Sequence, residues 1–504
     1  MLLVPQASFQ IGWATSPSRY RLERVSFGGF DVPTFTHTAA MPVSQDHVWS
    51  WYDAPEAFVR IMPEWERLTP LELGALEDGA STRFRMHLGP LRPVWVARHH
   101  DVVKGQAFSD RMERGPFGAW DHEHRITAKG AGSSVDDTVT WRLPFHMFTG
   151  WTAPITVLPR LRTMFAFRSR RVRLDLKRIE ETAHLPRRRV LVSGSTGLIG
   201  TQLCAFFHAA GHEVVRLLRT NTKLPAHLKG QAVVRWDDRT GEVVEGSLEG
   251  FDAVVHLAGA GIGDRRWSRS RMDLIRTSRT GPTARLAERL AALKHPPEVL
   301  LSGSAVGIYG NRPEGTVDET AEVGRGFLDE VALDWESATA QASESGIRVV
   351  HLRTGLVMTA AGGVLAKQLL PAKLGAGGPL GSGRQQISWI SIDDEVHAIH
   401  HLMMHETAEG PYNLTSPQPV AQREFARTLG RVLRRPAFAP LPGFVLRVLF
   451  GRMARPLLLE GQAALPTRLI ESGYTFAHPD LESCLRHTLG RTPADPQDAH
   501  EHRR

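Results

Sequence analysis

An eleven-residue stretch, Val190-Leu-Val-Ser-Gly-Ser-Thr-Gly-Leu-Ile-Gly200, carries the clearest chemistry in the sequence. Its apolar run breaks at Gly194 and resumes at Leu198 with helical spacing through Leu203, Phe206 and Phe207. That pattern predicts strand, turn and helix in order. Such a turn aims backbone N–H groups and the positive end of a helix dipole at one spot, as a phosphate requires. Gly194 turns tightly, Gly197 lets a pyrophosphate approach the backbone, and Gly200 lets the helix lie close on the sheet. Residues Gly194, Ser195, Thr196, Gly197, Leu198, Ile199 and Gly200 are therefore the candidate dinucleotide turn.

The next apolar run, Glu213-Val-Val-Arg-Leu-Leu, ends at Leu218 and Arg219, with Lys223 nearby. A carboxylate at that register would hold ribose hydroxyls, whereas a guanidinium suits a 2′-phosphate. The expected cofactor is accordingly NADP(H). Small residues in Leu257-Ala258-Gly259 let the backbone approach the adenine ribose side. Arg279, expected just before a helix at 283–293, is the arginine best placed to reach a phosphate. Ser302 and Ser304 end the fifth strand, where a hydroxyl can hydrogen-bond a substrate carbonyl. Tyr309 is a candidate acid and Glu336 a candidate base. Ser304 and Tyr309 are the favoured catalytic pair, and Asp393-Asp394 is read as a helix cap.

Strands read at 190–192, 213–218, 232–236, 252–257, 299–302 and 348–353 alternate with helices, notably at 327–345. This predicts an α/β doubly wound parallel sheet. The N-terminal half differs. A strand from Phe35, a helix capped by Ser44, strand-like runs between Ser81 and Leu143 and a helix through Leu161 and Phe165 predict an α+β meander. His122 and His124 share one strand face with Trp120. They are read as cavity lining, and with no third or fourth ligand identifiable, no metal is assigned.

The N-terminal order of elements, with runs such as Phe117-Gly-Ala-Trp-Asp-His-Glu-His, resembles the helix-grip fold of the START-like, polyketide cyclase (SRPBCC) superfamily. That resemblance implies an apolar cavity for a hydrophobic ligand. The C-terminal half is similar to the atypical short-chain dehydrogenase/reductase (SDR) "epimerase family protein" group, a Rossmann-like fold. Besides the glycine turn, it shares Arg266-Arg-Trp, Ser304-Ala-Val-Gly-Ile-Tyr-Gly, Arg353-Thr-Gly-Leu-Val and Ser388-Trp-Ile-Ser-Ile-Asp-Asp. The likeness adds Leu274 and Val357 to the expected NADP contacts. Working SDRs use Tyr-x-x-x-Lys, in which lysine lowers the tyrosine pKa. Here Trp335 and Thr339 stand in those places, so the usual proton relay is absent.

The chain has 504 residues, too many for one core. The expected division is an irregular arm (1–34), a helix-grip domain (35–180), a linker (181–188), a Rossmann-like domain (189–410), a substrate-side domain (411–489) and a disordered tail (490–504). Its net charge of +8 comes largely from arginines between 160 and 189, read as a solvated helix face and linker. No nucleic-acid fold motif accompanies them. Two cysteines cannot form a disulfide framework, and neither a membrane-length apolar run nor a secretory signal is evident. A cytoplasmic enzyme acting on a small molecule is the leading expectation. An NADP-binding sensor or scaffold without turnover, and a lipid-binding module with a vestigial SDR half, are the alternatives.

Overall fold

The computed structural model describes residues 19–27, 30–144 and 156–491. Residues 1–18 of the predicted arm and 492–504 of the predicted tail lie outside that set. Among the described residues no helix is long and apolar enough to cross a membrane.

The N-terminal half is an eight-stranded antiparallel sheet built from β1 (Arg19–Phe27), β2 (Phe30–Met41), β3 (Leu68–Glu72), β4 (Ser81–Met86), β5 (Val94–Val103), β6 (Ala107–Arg114), β7 (Ala119–Lys129) and β8 (Gly132–Arg142). Their order is β1-β2-β8-β7-β6-β5-β4-β3. Helices α1 (Gln45–Asp53) and α2 (Ala57–Ile61) follow β2, and the Ser44 hydroxyl caps α1 by accepting from the His47 amide. The long helix α3 (Leu158–Glu181) lays the stripe Leu161, Phe165, Val172 and Leu176 on the sheet. There it meets Phe35 and Val139 in one buried cluster, and Ile126 and Val135 in another. Residues four and seven apart share one helix face, and alternate strand residues share one sheet face, so both periods close on a common core.

Two N-terminal expectations need correction. Residues 19–27 and 30–34 are not an irregular arm: β1 pairs with β2 from Arg19↔Thr38 to Phe27↔Phe30. The ladder's backbone hydrogen bonds, rather than an apolar period, hold that strand. The strand β3 also went unread, because Pro70 and a register shift beside it mark the sheet edge.

The C-terminal half is a second eight-stranded sheet, ordered β12-β11-β10-β9-β13-β14-β15-β19. Its members are β9 (Arg189–Ser193), β10 (Glu213–Arg219), β11 (Val233–Trp236), β12 (Val243–Glu245), β13 (Ala253–His256), β14 (Val299–Ala305), β15 (Arg348–Thr354) and, below, β19. All pairings are parallel except that of the edge strand β12. Two ribbons, β16 (Leu356–Met358) with β18 (Trp389–Ser391) and β17 (Gln386–Ile387) with β20 (Val420–Ala421), lie beyond β15. The strand β19 (Gly410–Leu414) pairs with β15, so the sheet runs past the boundary expected at 410.

Helices α4 (Leu198–Ala209), α5 (Arg269–Ala291), α6 (Phe327–Ser337), α7 (Ala340–Glu344), α8 (Ile392–Met404) and α9 (Leu481–Thr488) complete the parts used below. Pro282, which reads as a helix boundary, lies inside α5, so Arg279 is on a helix and not before one. The helix expected at 327–345 is broken between α6 and α7. Ser391, rather than either aspartate, caps α8 by accepting from the Asp394 amide.

The arginines of α3 are not uniformly solvated, because part of this helix docks the two halves together. Arg171 is fully buried and binds Glu64 and Asp393. Arg60 of α2, also fully buried, forms a two-point pair with Asp175 at 2.6 and 3.0 Å and reaches Asp393 at 3.1 Å. Asp175 in turn meets His397 at 2.8 Å. Charges taken out of water must be paired in this way, and breaking one such pair costs about 3–5 kcal/mol.

Several histidines are buried uncharged around the C-terminal core. Burial lowers His212 and His478 to about 3, and His256 and His487 to about 4. In the unfolded chain each takes up a proton near pH 6.5. As pH falls below about 6.5 the unfolded state therefore gains protons that the folded state refuses, and stability is lost. Thermal melts should show a midpoint that drops steadily from pH 7 to pH 5, and a flat midpoint across that range would contradict the buried neutral assignment.

Candidate functional site

Sheet order reverses where β9 lies between β10 and β13, and the crevice outside the carboxyl ends of such strands is where ligands bind. Gly194 leaves β9 with φ of 68°, and a Cβ there would stand 2.8 Å from the Leu257 carbonyl carbon at the end of β13. A Cβ on Gly200 would stand 2.2 Å from the Gly194 oxygen. The Gly197 amide closes the turn by donating to that oxygen at 2.9 Å. Gly197 is the N-cap of α4 and supplies no capping side chain, so the first-turn amides keep their binding capacity.

The structure gathers most of the expected cofactor residues around this turn. Thr196 and Gly197 are exposed, Leu198 and Ile199 half-buried, and Ser195 is buried with its Oγ lacking a hydrogen-bond partner. Leu198 also faces the backbone at Gly362 and Gly363, which brings Val357 alongside. Leu218 is buried near the end of β10, while the Arg219 side chain is 67% exposed and 3.7 Å from Asp238. That carboxylate, on the loop after β11, was not anticipated beside Arg219.

Arg279 reaches the same crevice from within α5. Its guanidinium lies 3.2 Å from where a Gly259 Cβ would be and 5.1 Å from the Trp335 ring. It donates to the Ile275 carbonyl, and among the described residues no carboxylate pairs with it. Burial, with Arg271 nearby, lowers it to about 10, so it stays charged at neutral pH. Leu274, five residues earlier on α5, is exposed. Trp335 packs against Gly303 of β14 and donates its indole N–H to Thr283. The position of the missing tyrosine is thus filled by an indole under a guanidinium.

The catalytic candidates converge on one residue that sequence reading gave no role, Arg353. It pairs with Glu336 at 2.8 and 2.9 Å and donates to the Tyr309 hydroxyl at 2.9 Å. Ser304 donates to Glu336 at 2.6 Å, and Tyr309 donates to Asn413 at 2.7 Å. Burial opposes charge on Glu336, but Arg353 outweighs it and holds the carboxyl below its usual range. Burial raises Tyr309 against the pull of Arg353, and its ring is 1% exposed. The motif Arg353-Thr-Gly-Leu-Val marked this strand end, but nothing local announced that its arginine would clamp Glu336.

The N-terminal half holds a cavity of about 760 Å³ between sheet and helices. Phe84, Trp95, Leu161 and Met164 give it apolar walls, and His122 and His124 line it as expected. Gly230 and Gln231 of the C-terminal half also line it.

Residues 190–415 match the NAD dependent epimerase/dehydratase family, and 441–488 match a domain of unknown function, DUF1731. An epimerase family protein of Mycobacterium bovis, Mb2239, is 40% identical over 302 residues, which are 60% of this chain and 98% of that protein. The chain belongs to the epimerase family. Its human relative, epimerase family protein SDR39U1, is 35% identical over 59% of this chain and 98% of the relative. A solved structure of human SDR39U1 with NADPH aligns at a TM-score of 0.55 with 33% identity, over 60% of this chain and all of that one. A nucleoside-diphosphate sugar epimerase from Corynebacterium glutamicum aligns over 93% of this chain and 92% of its own, with a TM-score of 0.75 and 30% identity. That alignment takes in both halves.

Glu336→Gln leaves the Arg353 guanidinium buried without its counter-charge and should lower stability by about 3 kcal/mol in urea denaturation. The exposed pair Arg276–Glu330, cut by Glu330→Gln, should cost under about 1 kcal/mol. Equal losses for the two variants would contradict the clamp.

Proposed function

We propose that the C-terminal half binds NADP(H) and acts as an oxidoreductase or epimerase-like enzyme on a small molecule, without a Tyr-x-x-x-Lys pair. The observation that carries this reading is the Gly194 turn, pressed against Leu257 with uncapped helix amides and an unpaired Arg279 around it. These features fit a dinucleotide: the amides of Ser195 to Ile199 hold the pyrophosphate, and Leu218, Leu257, Ala258 and Gly259 wall the adenosine side. Arg219 takes the 2′-phosphate, since its long, exposed contact with Asp238 is easily exchanged. Leu274 and Val357 make outer contacts. That a human relative is solved with NADPH supports the same cofactor.

When bound, the cofactor supplies or accepts hydride. Ser304 gives its one hydroxyl hydrogen to Glu336 and so holds a substrate hydroxyl by accepting from it. Tyr309 acts through Arg353, keeping Glu336 ionised and in place, so it is a positioning residue. The N-terminal half resembles a helix-grip, START-like domain in its antiparallel sheet closed by a long helix, and its cavity takes a hydrophobic molecule, either the substrate or its precursor.

A second reading, an NADP(H) sensor or scaffold, is favoured by the closed hydrogen bonding of Tyr309 and Glu336, which commits the candidate acid and the candidate base to partners within the protein. Fluorescence titration separates binding from turnover. NADPH should bind at least about tenfold tighter than NADH, a difference of about 1.4 kcal/mol, and Arg219→Asp should erase that preference. Retained preference in Arg219→Asp overturns the assignment. NADPH oxidation with a carbonyl or sugar-nucleotide panel, reduced about 100-fold in Ser304→Ala, supports the enzyme, and tight binding without oxidation supports the sensor.

A further inference from the structure

The register of four adjacent strands of the N-terminal sheet places a second set of reactive side chains on one face. Asp110 of β6 lies across from His122 of β7, and His124 lies across from Asp137 of β8. His37 of β2 lies across from the same Asp137. Cross-strand partners and residues two apart share one sheet face, so these five converge. Asp110, His122 and His124 line the cavity. His122 Nδ1 is 3.2 Å and His124 Nε2 3.9 Å from Asp110 Oδ2, and the three donor atoms lie within 4.8 Å of one another.

We propose that Asp110, His122 and His124 bind a divalent first-row transition metal ion, leaving coordination positions open toward the apolar cavity for an oxygen of a bound molecule. Two imidazoles and a carboxylate without thiolate suit zinc, iron(II) or cobalt(II). Donors in a four-coordinate site with bonds near 2.0 Å stand about 3.3 Å apart, close to the spacing found here. The surroundings are those of a metal site as well. His122 Nε2 hydrogen-bonds Asp137 Oδ1 at 3.3 Å, and His124 Nδ1 stands 2.7 Å from the same oxygen but outside hydrogen-bond geometry, which a modest turn of the ring would correct. Asp137 is steadied by His37 at 3.2 Å. A carboxylate behind each ligand histidine fixes its orientation and raises its basicity.

A second cluster provides the contrast. Asp393, His478 and His487 are as close together, but the oxygens of Asp393 already hold Arg60 and Arg171. Among the described residues no arginine or lysine pairs with Asp110 or Asp137. The half-buried Arg168 lines the same cavity and feels both carboxylates. A divalent ion, two carboxylates and this guanidinium sum to one positive charge, which an anionic oxygen offsets. The ligand class is therefore an apolar molecule bearing a carboxylate or enolate. This inference does not depend on the NADP(H) reading.

The test uses the full chain, stripped with a chelator and dialysed against cobalt(II). One cobalt per chain is expected, with the ligand-field absorption of a four- or five-coordinate ion. Asp110→Asn and His124→Gln should lose it, Asp137→Asn should weaken its Kd about 10–100-fold, and His487→Gln should retain it. Near-ultraviolet circular dichroism checks that each variant is folded, and if Asp110→Asn does not fold, His124→Gln decides. Octanoate should shift the cobalt spectrum of the wild-type chain. Absence of stoichiometric cobalt in the wild type, or its retention in a folded His124→Gln, overturns the site. Cobalt bound with no response to octanoate overturns the open positions.

Discussion

Arg216 lies in the middle of a parallel strand, fully buried, where a guanidinium is unsupportable unless something pairs with it. Its partner comes from the other half of the chain: Glu56 meets Nη2 at 2.5 Å, and Gln231 binds the same carboxylate oxygen. On its far side Arg216 donates to the Ser195 carbonyl at 2.8 Å, inside the glycine turn. One charge pair therefore ties the N-terminal half to the backbone that shapes the candidate cofactor site. Burial opposes ionisation of Glu56, but His208, Arg216 and Gln231 outweigh it and keep the carboxyl below its usual range.

Around this pair the docking is broad. Arg60 and Arg171 bring α2 and α3 onto α8, and Glu64 receives the Thr359 hydroxyl and the Ala360 amide. Partners this deeply desolvated do not slide, so the cavity and the crevice keep a fixed relation. Glu56 and Gln231 line the cavity as well as serving Arg216, which puts the cavity mouth and the glycine turn on a shared set of side chains. A ligand filling the cavity would press on groups one hydrogen bond from the dinucleotide turn.

Periodicity exposed most of the framework. Alternation revealed the strands from Ser81 to Arg142, and the glycine spacing located the turn between β9 and α4 to the residue. Interactions that join distant positions were the hidden part. The arginines of α3 read as a solvated face because the carboxylates that bind Arg171 lie on the loop after α2 and on α8. Pro282 hid the true start of α5, since a proline tolerated inside a long helix looks like a boundary. Asp110 was invisible as a partner of His122 because the register of β6 against β7, not spacing along the chain, brings them together. Arg353 belonged to a recognisable motif, yet its grip on Glu336 and Tyr309 exists only once β15, α6 and the loop after β14 are assembled.

The turn after β9, pressed against the end of β13, is the proposed seat of a phosphorylated dinucleotide. Hydrogen–deuterium exchange of the full chain, with and without saturating NADPH, reads those backbone amides directly. Exchange should slow at Ser195 to Gly200 and at Leu257 to Ala260, with the β-strands of the N-terminal half unchanged. Unaltered exchange in both segments, under conditions where NADPH is in excess, would contradict it.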